Sequence, residues 1–483
     1  MSSSRSYEEI KNQLILNNKK EAFDADIVLS SNEQSLNKKM IDLREEFEHN
    51  LKHNKVSFYN KPFLKVKSLI DTSSLLEIFN IMPKGGLLHS HSIGLTDIEW
   101  VIDAARDTRE CYVYSLPDNR LYLYGQLGVF QESKVPDGFI NLKDKIKTNP
   151  EFKKELSDLL VLRRESLSES IDHWAEFEKG FNRIRHLINY RPFFQKYYKR
   201  AFLDLLEDNI QHVEVRMIFE NLYDFKTPTY PSETIITDIE EIVNEIQKNE
   251  PKFTACLIYT SLKFLNIEEI DQQIVQAFEF KKKYPNMITG FDIVAEEDSG
   301  NSISYYQKSW KKLDSLQSEY NVELPLFLHA GESKSIKNTN LFDAVLLNNK
   351  RIGHGLNLVL FPHILKQVKE KDMLVELNPI SNQVLGFIND FRNHPGRIML
   401  QNGIQCSISS DDPAVFGYKG LSYDFWLVFT AWELDLRAIK KLVFNSITYS
   451  SLNDDSKKMA LQNLTKDWDN FIERANSILE TKN

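Results

Sequence analysis

The pair His89-Ser90-His91 places two imidazoles one residue apart in this 483-residue chain. On a strand, residues i and i+2 point to one side, so both rings can reach a single metal ion. The pair alone is a weak signal, because chance produces it often. A second motif, His329-Ala330-Gly331-Glu332, follows the apolar run Pro325-Leu326-Phe327-Leu328. His329 offers a third ligand, and Glu332 a carboxyl near enough to exchange protons with whatever a metal activates. The small residues between them let backbone approach a ligand closely. In the third motif, Arg351-Ile352-Gly353-His354-Gly355, the flanking glycines predict a His354 exposed on a loop as a polar catalytic group. The fourth, SISSDDP (407–413), ends in adjacent carboxylates, Asp411 and Asp412. Adjacent side chains splay apart, so one can ligate a metal while the other hydrogen-bonds a substrate. Each motif has an ordinary alternative when read alone, such as a strand end, a helix cap or an Asp-Asp-Pro turn. Together His89, His91, His329 and Asp411 make a site for a borderline metal such as zinc, with room for one water. Zinc lowers the pKa of bound water to about 7. The set suits hydrolytic attack on an electrophilic carbon.

Such residues need a scaffold that brings distant segments to one place. Short apolar runs recur at 86–89, 212–216, 254–259, 288–294, 326–329, 351–354, 373–377 and 404–408, separated by helical stretches. Strands alternating with helices predict parallel βα units, and eight of them predict a (β/α)8 barrel. Barrel chemistry sits at the C-terminal ends of strands, and the four motifs fall there, as do Glu296 and Glu297. The first and second runs are too far apart for one helix, which predicts an insertion at about 104–170. Within it lie a segment rich in Tyr, Gly and Asp (112–138) and a charged helical stretch (143–162). Residues 1–78 are polar, with Tyr7, Ile10 and Leu14, then Met40, Leu43 and Phe47, at helical spacing. They predict an N-terminal helical extension outside the main core, with the barrel over 79–475.

Composition narrows the function classes. Apolar residues make up 42% and the net charge is −9, from 60 Lys and Arg against 69 Asp and Glu. This excludes a predominantly disordered chain and argues against nucleic acid as the partner. Three cysteines cannot build a disulfide framework. No apolar run has the length of a signal peptide's core or of a membrane span. The expectation is a cytoplasmic protein with a small-molecule substrate.

The motifs MPKGGLLHSHSIG (82–94), FLHAGE (327–332), RIGHG (351–355) and SISSDDP resemble those of the adenosine deaminase family of metal-dependent hydrolases, in the family's order. NIQHVEVR, GFDIVAEEDSG and ELNPISNQVLG, with the N-terminal extension and the insertion, are most similar to the growth-factor-type adenosine deaminases. The resemblance implies that His89, His91, His329 and Asp411 hold one zinc ion. It implies that Glu332 protonates purine N1, that His354 orients the attacking hydroxide at C6, and that Asp412 binds the purine on its N7 side and helps position the hydroxide. The product would be inosine plus ammonia, from adenosine and 2′-deoxyadenosine, in purine salvage or catabolism. His91, Ser92 and Ala295 would touch the substrate. The N-terminal helices would build a homodimer.

Two positions depart from the family. Where an aspartate often follows the second histidine and meets the ribose, this chain has Ser92 and Ile93. Where a glycine N–H often meets purine N3, it has Ala295. Both changes touch recognition and leave the metal chemistry intact. They open the alternative of a modified nucleoside such as methylthioadenosine. Nucleotides are disfavoured, because no basic cluster in the sequence is placed to hold a phosphate. A catalytically idle, growth-factor-like binding protein is the other alternative, opposed by the complete residue set.

Overall fold

The computed structural model describes residues 6–164 and 172–481, so positions 165–170 of the expected insertion lie outside the described residues. Eleven strands occur among the described residues: β1 (Gly85–His91), β2 (Cys111–Tyr114), β3 (Leu127–Val129), β4 (Phe139–Asn141), β5 (Ile210–Ile218), β6 (Thr254–Leu262), β7 (Ile288–Val294), β8 (His329–Ala330), β9 (Arg351–His354), β10 (Leu374–Leu377) and β11 (Cys406–Ile408). Two four-stranded parallel sheets, β1-β5-β6-β7 and β8-β9-β10-β11, form the barrel wall. Parallel bridges close it on both sides, Phe291 to Leu326 and Ser90 to Asp411. All eight apolar runs of the sequence supply barrel wall. Such strands are covered on both faces, hence their nearly continuous apolar character; β7 is buried along its whole length.

The insertion has its own order. The 112–138 segment folds into most of a three-stranded antiparallel sheet, β3-β2-β4. The charged stretch is two helices, Leu142–Thr148 and Phe152–Leu160, separated at Asn149-Pro150, where proline cannot continue the first helix. Beyond it, the helix His173–Ile188 is capped by Asp172, whose carboxylate accepts from the N–H of Trp174 and Ala175. Phe177 of this helix stacks on Phe416, with ring centroids 5.8 Å apart, and pins the helix beside the loop that follows β11.

The N-terminal helices differ from expectation in one respect. The helix Tyr7–Glu21 buries no residue, as predicted for an element outside the core. The helix Ser31–His53 joins the main core instead: Leu36 and Met40 are fully buried. Its Glu33 accepts from Lys440 Nζ at 2.6 Å and from Trp468 Nε1 at 2.8 Å, tying it to the C-terminal helix Asp454–Thr481. A polar composition hid this because only a narrow face of the helix is apolar.

Candidate functional site

The C-terminal ends of β1, β8 and β11 bring His89, His91, His329 and Asp411 together. One potential ligand atom from each lies within 4.8 Å of all the others. Two partners behind the rings aim them. His89 Nδ1 meets Glu376 Oε2 at 2.8 Å, and His329 Nδ1 meets Asp292 Oδ2 at 2.6 Å. Each carboxylate is locked by the buried Arg216, through Nε to Asp292 at 2.7 Å and Nη2 to Glu376 at 2.7 Å. Arg351 adds a bond from Nε to Glu376 at 2.6 Å. With the Nδ1 atoms held in this way, the other ring nitrogens face the centre. There His89 Nε2 and His91 Nε2 converge on Asp411 Oδ1, at 3.3 and 3.0 Å, and His89 Nε2 and Asp411 Oδ1 are buried without a well-aligned hydrogen bond, a packing of ligand atoms that a cation would satisfy. Three imidazoles and one carboxylate, with carboxylates behind the rings, fit a zinc-type ion.

The carboxyls of the site are driven to opposite states. Burial, then the negative charges of Asp411 and Glu297, push Glu332 well above the usual carboxylate range. Burial and the charge of Asp411 do the same to Asp412. Burial would also raise Asp411, but the adjacent imidazoles outweigh it and hold it well below that range. The site thus sets one carboxyl that favours its ionised form beside two that favour the protonated form. Glu332 is held by its backbone: Glu297 accepts from the N–H of Gly331 at 2.7 Å and of Glu332 at 2.9 Å, and from Asn340 Nδ2 at 2.9 Å. Burial pushes the Glu297 carboxyl up, but the buried Lys263, 3.6 Å away, together with these hydrogen bonds outweighs it and holds Glu297 below the usual range.

His354 is not on an exposed loop. It ends β9, is 1% exposed, and adopts φ of 66°, a conformation uncommon for a residue with a side chain. Gly353 beside it leaves room for the ring of His89; a Cβ there would come within 3.0 Å of His89 Cε1. A chain of hydrogen bonds fixes the tautomer of His354. The Gly396 N–H donates to His394 Nδ1 at 2.9 Å, so His394 carries its proton on Nε2 and donates to Asn382 Oδ1 at 3.0 Å. The Asn382 amide then donates to His354 Nδ1 at 3.1 Å, leaving the His354 proton on Nε2, which faces Asp411. Burial keeps the ring neutral by lowering its pKa well below the usual value. Asn378 Nδ2, at 3.3 Å, faces the same acceptor.

These groups floor a cavity of about 260 Å3. Its floor contains His91, His329, Glu332, His354, Asp411 and Asp412, and Ser92 and Ala295 line its sides. Ala295 sits at φ of 120°, a backbone state that favours glycine, so its methyl is carried at a conformational cost. A Cβ at Gly94 would collide with Asp412, so glycine there lets the Asp412 backbone pack close. All the residues picked out from the sequence therefore converge: His89, His91, His329, Asp411, Glu332, His354, Asp412, Ser92 and Ala295. Glu296 does not line the cavity, and Glu297 acts from behind.

Sequence reasoning missed Asp292, Glu376, Arg216, Lys263 and Asn382. The first three carried a signal: charges inside buried apolar strands require partners. It also missed the roof. Trp174, Phe177, Glu178, Phe181, Asn182 and Arg185, all from the helix His173–Ile188, line the cavity opposite the ligands.

Comparison with known proteins adds an independent line. The adenosine deaminase family, described by its sequence profile, matches residues 152–467. The chain is 31% identical over 451 residues to adenosine deaminase 2 of Dictyostelium discoideum, covering 92% of this chain and 83% of that protein. It is 30% identical over 486 residues to adenosine deaminase 2 of Sus scrofa, covering 97% and 94%. Among solved structures, an amidohydrolase from Burkholderia ambifaria with bound zinc superposes with a TM-score of 0.61 at 16% identity, covering 83% of this chain and 94% of that one. That likeness establishes the shared barrel.

Proposed function

The chain belongs to the adenosine deaminase family, and from that premise we propose that it deaminates adenosine and 2′-deoxyadenosine hydrolytically, with zinc as its metal, giving the inosine product and ammonia. His89, His91, His329 and Asp411 would hold one ion per chain. When bound, zinc supplies a Lewis acid that makes water nucleophilic near neutral pH.

The rest is done by the chain's own residues. The neutral Glu332 carboxyl donates its proton to purine N1, which draws electron density from C6 and opens that carbon to attack. His354, with its proton on Nε2, donates to the incoming oxygen and orients it toward C6. Neutral Asp412 donates to N7, and the Ala295 N–H meets N3. Ionised Asp411 stays charged and cannot compete as an acid. Addition of water to C6 frees one proton, which passes to the amino group; the C6–N bond then breaks, ammonia leaves, and the proton of the new C6 hydroxyl returns to Glu332 as the C6 carbonyl forms. One observation carries this reading most directly. Glu332 and Asp411 line one buried cavity, and their surroundings shift the two carboxyls in opposite directions, the pattern expected of an acid beside a ligand.

The test is ammonia release by purified, zinc-loaded protein with adenosine, 2′-deoxyadenosine, methylthioadenosine and adenine. Turnover of adenosine supports the reading, and zinc-loaded protein inert toward the whole panel overturns it. A second reading, a nucleoside modified on its ribose side, has Ser92 in its favour: this wall carries a hydroxyl where a carboxylate would grip the ribose. Ser92→Asp should then shift kcat/KM toward adenosine over methylthioadenosine, and an unchanged ratio removes it.

Assembly and location belong to the same proposal. Tyr7 and Leu14 are 78% and 65% exposed on the helix Tyr7–Glu21, an apolar face suited to a second copy of this chain. Light scattering on wild type and Leu14→Glu tests the homodimer: a dimer lost in the variant supports it, and a wild-type monomer ends it. Free, buried Cys111, Cys256 and Cys406 accord with a reducing, cytoplasmic setting.

A further inference from the structure

A second cavity, of about 710 Å3, adjoins the first: Asn182 and Arg185 line both. Its far wall is the insertion, through Arg120 and Tyr122, and its near wall includes Asn221 and Tyr223. Its lining differs in composition from that of the inner cavity. Acidic Glu178, Glu332, Asp411 and Asp412 line the inner space beside Arg185 and Arg216, whereas among the described residues no acidic side chain lines the outer one. Its permanent cations are Arg120 and Arg185. His186 also lines it, but burial lowers its pKa, so it is neutral.

Asn119, Asn189 and Tyr223 of its lining are hydrogen-bonded within the protein, but other donors are unused. Arg120, Asn182 and Asn221 have no hydrogen-bonding or ion-pair partner among the described residues, and Arg185 Nε is buried without one. Arg185 does face one carboxylate from behind the wall: its Nη1 lies 3.5 Å from Glu220, which is itself engaged by Asn189 Nδ2 at 2.6 Å. Arg185 still lines the cavity and is partly exposed. Along the helix His173–Ile188, from Trp174 over the inner cavity to Arg185, the eleven-residue rise is roughly 16 Å. The outer cavity and its two arginines therefore lie farther along the same helix from the groups around Glu332.

We infer that this outer cavity is a substrate subsite for an anionic group carried on the ribose side of a purine nucleoside, a phosphate ester being the simplest case. The two arginines would pair with phosphate oxygens, the geometry for which guanidinium is suited. The inference rests on the deaminase reading above and extends its substrate class to nucleotides. The sequence concealed this site because its cations stand 65 positions apart, one in the insertion and one on the roof helix.

The experiment compares kcat/KM for adenosine and adenosine 5′-monophosphate on zinc-loaded wild type and Arg120→Gln. Arg120 lines only the outer cavity, on an exposed loop, so its replacement leaves the inner site alone. The expected result is turnover of the monophosphate by wild type, and at least a tenfold fall in its kcat/KM in Arg120→Gln with adenosine turnover unchanged. Monophosphate that neither reacts nor inhibits while adenosine turns over overturns the inference, as does an equal ratio in the variant. Calorimetric titration with inorganic pyrophosphate separates this from failure of the deaminase reading. Binding lost in Arg120→Gln supports an anion subsite even if no nucleoside reacts, and no binding to wild type contradicts it.

Discussion

The floor and the roof of the inner cavity are built on different terms. On the floor, the groups stand at strand ends and are held from behind. Glu376 and Asp292 orient His89 and His329, Arg216 locks both carboxylates, Glu297 grips the backbone of Glu332, and Asn382 sets the proton of His354. On the roof, one helix supplies Trp174, Phe181, Asn182 and Arg185, which are partly or largely exposed, and Asn182 has no hydrogen-bond partner among the described residues. Groups that must act on a bond are fixed by buried networks before substrate arrives. The roof groups sit on a single helix outside the barrel wall and face the cavity without such a network.

That contrast can be broken at several points. The largest effect is expected behind the floor. Glu376→Gln or Asp292→Asn, which touch no substrate, should lower zinc affinity about 10–100-fold, measured by competition with a chelator. Unchanged affinity would mean that the ligands orient themselves.

A second effect is on stability. His394 is buried and neutral, with its pKa lowered to about 3 by burial. Unfolding releases it to an ordinary value near 6.5. The folded state therefore binds fewer protons between these values. Stability is full above about pH 6.5, falls as pH drops, and levels out below about pH 3. At pH 5 the cost is about 2 kcal/mol. His394→Gln keeps an N–H donor for Asn382 and removes the titration. Denaturant midpoints between pH 7 and 5 should fall less in the variant than in wild type, and parallel curves would refute the assignment.

A smaller effect tests the tautomer chain. Asn382→Asp turns the donor facing His354 Nδ1 into an acceptor and draws the proton to the wrong nitrogen. We expect kcat to fall about tenfold with KM nearly unchanged, and a change confined to KM would contradict the chain. The smallest effect belongs to the roof: Phe181→Leu should raise KM a few-fold and leave kcat alone. A large loss of kcat there would erase the distinction between the two walls.

The legibility of the molecule follows the same division. Barrel strands announce themselves because both faces are buried, and the reactive side chains end those runs, so β1, β8, β9 and β11 were visible with their ligands. The burial of His354 was not, since two flanking glycines read as a loop while the backbone uses Gly353 to admit the His89 ring. Asp292 and Glu376 lay within apolar runs and were legible as buried charges, though their partners, Arg216 and the histidines, are set only by barrel closure. The roof helix was obscure for another reason. Its amphipathic pattern is that of any packed helix, and nothing in its spacing tells which face looks into a cavity. The helix Ser31–His53 was misplaced because its polar composition outweighed the narrow stripe of Leu36 and Met40.

The central claim is that Glu332 is the proton donor of a metal-dependent deaminase whose ligands are independent of it. Zinc content and adenosine turnover measured together on wild type and Glu332→Gln test this most directly. The account predicts about one zinc per chain in both proteins and a fall in kcat of roughly 1,000-fold in the variant. A variant that keeps its zinc and turns over adenosine at the wild-type rate would contradict it.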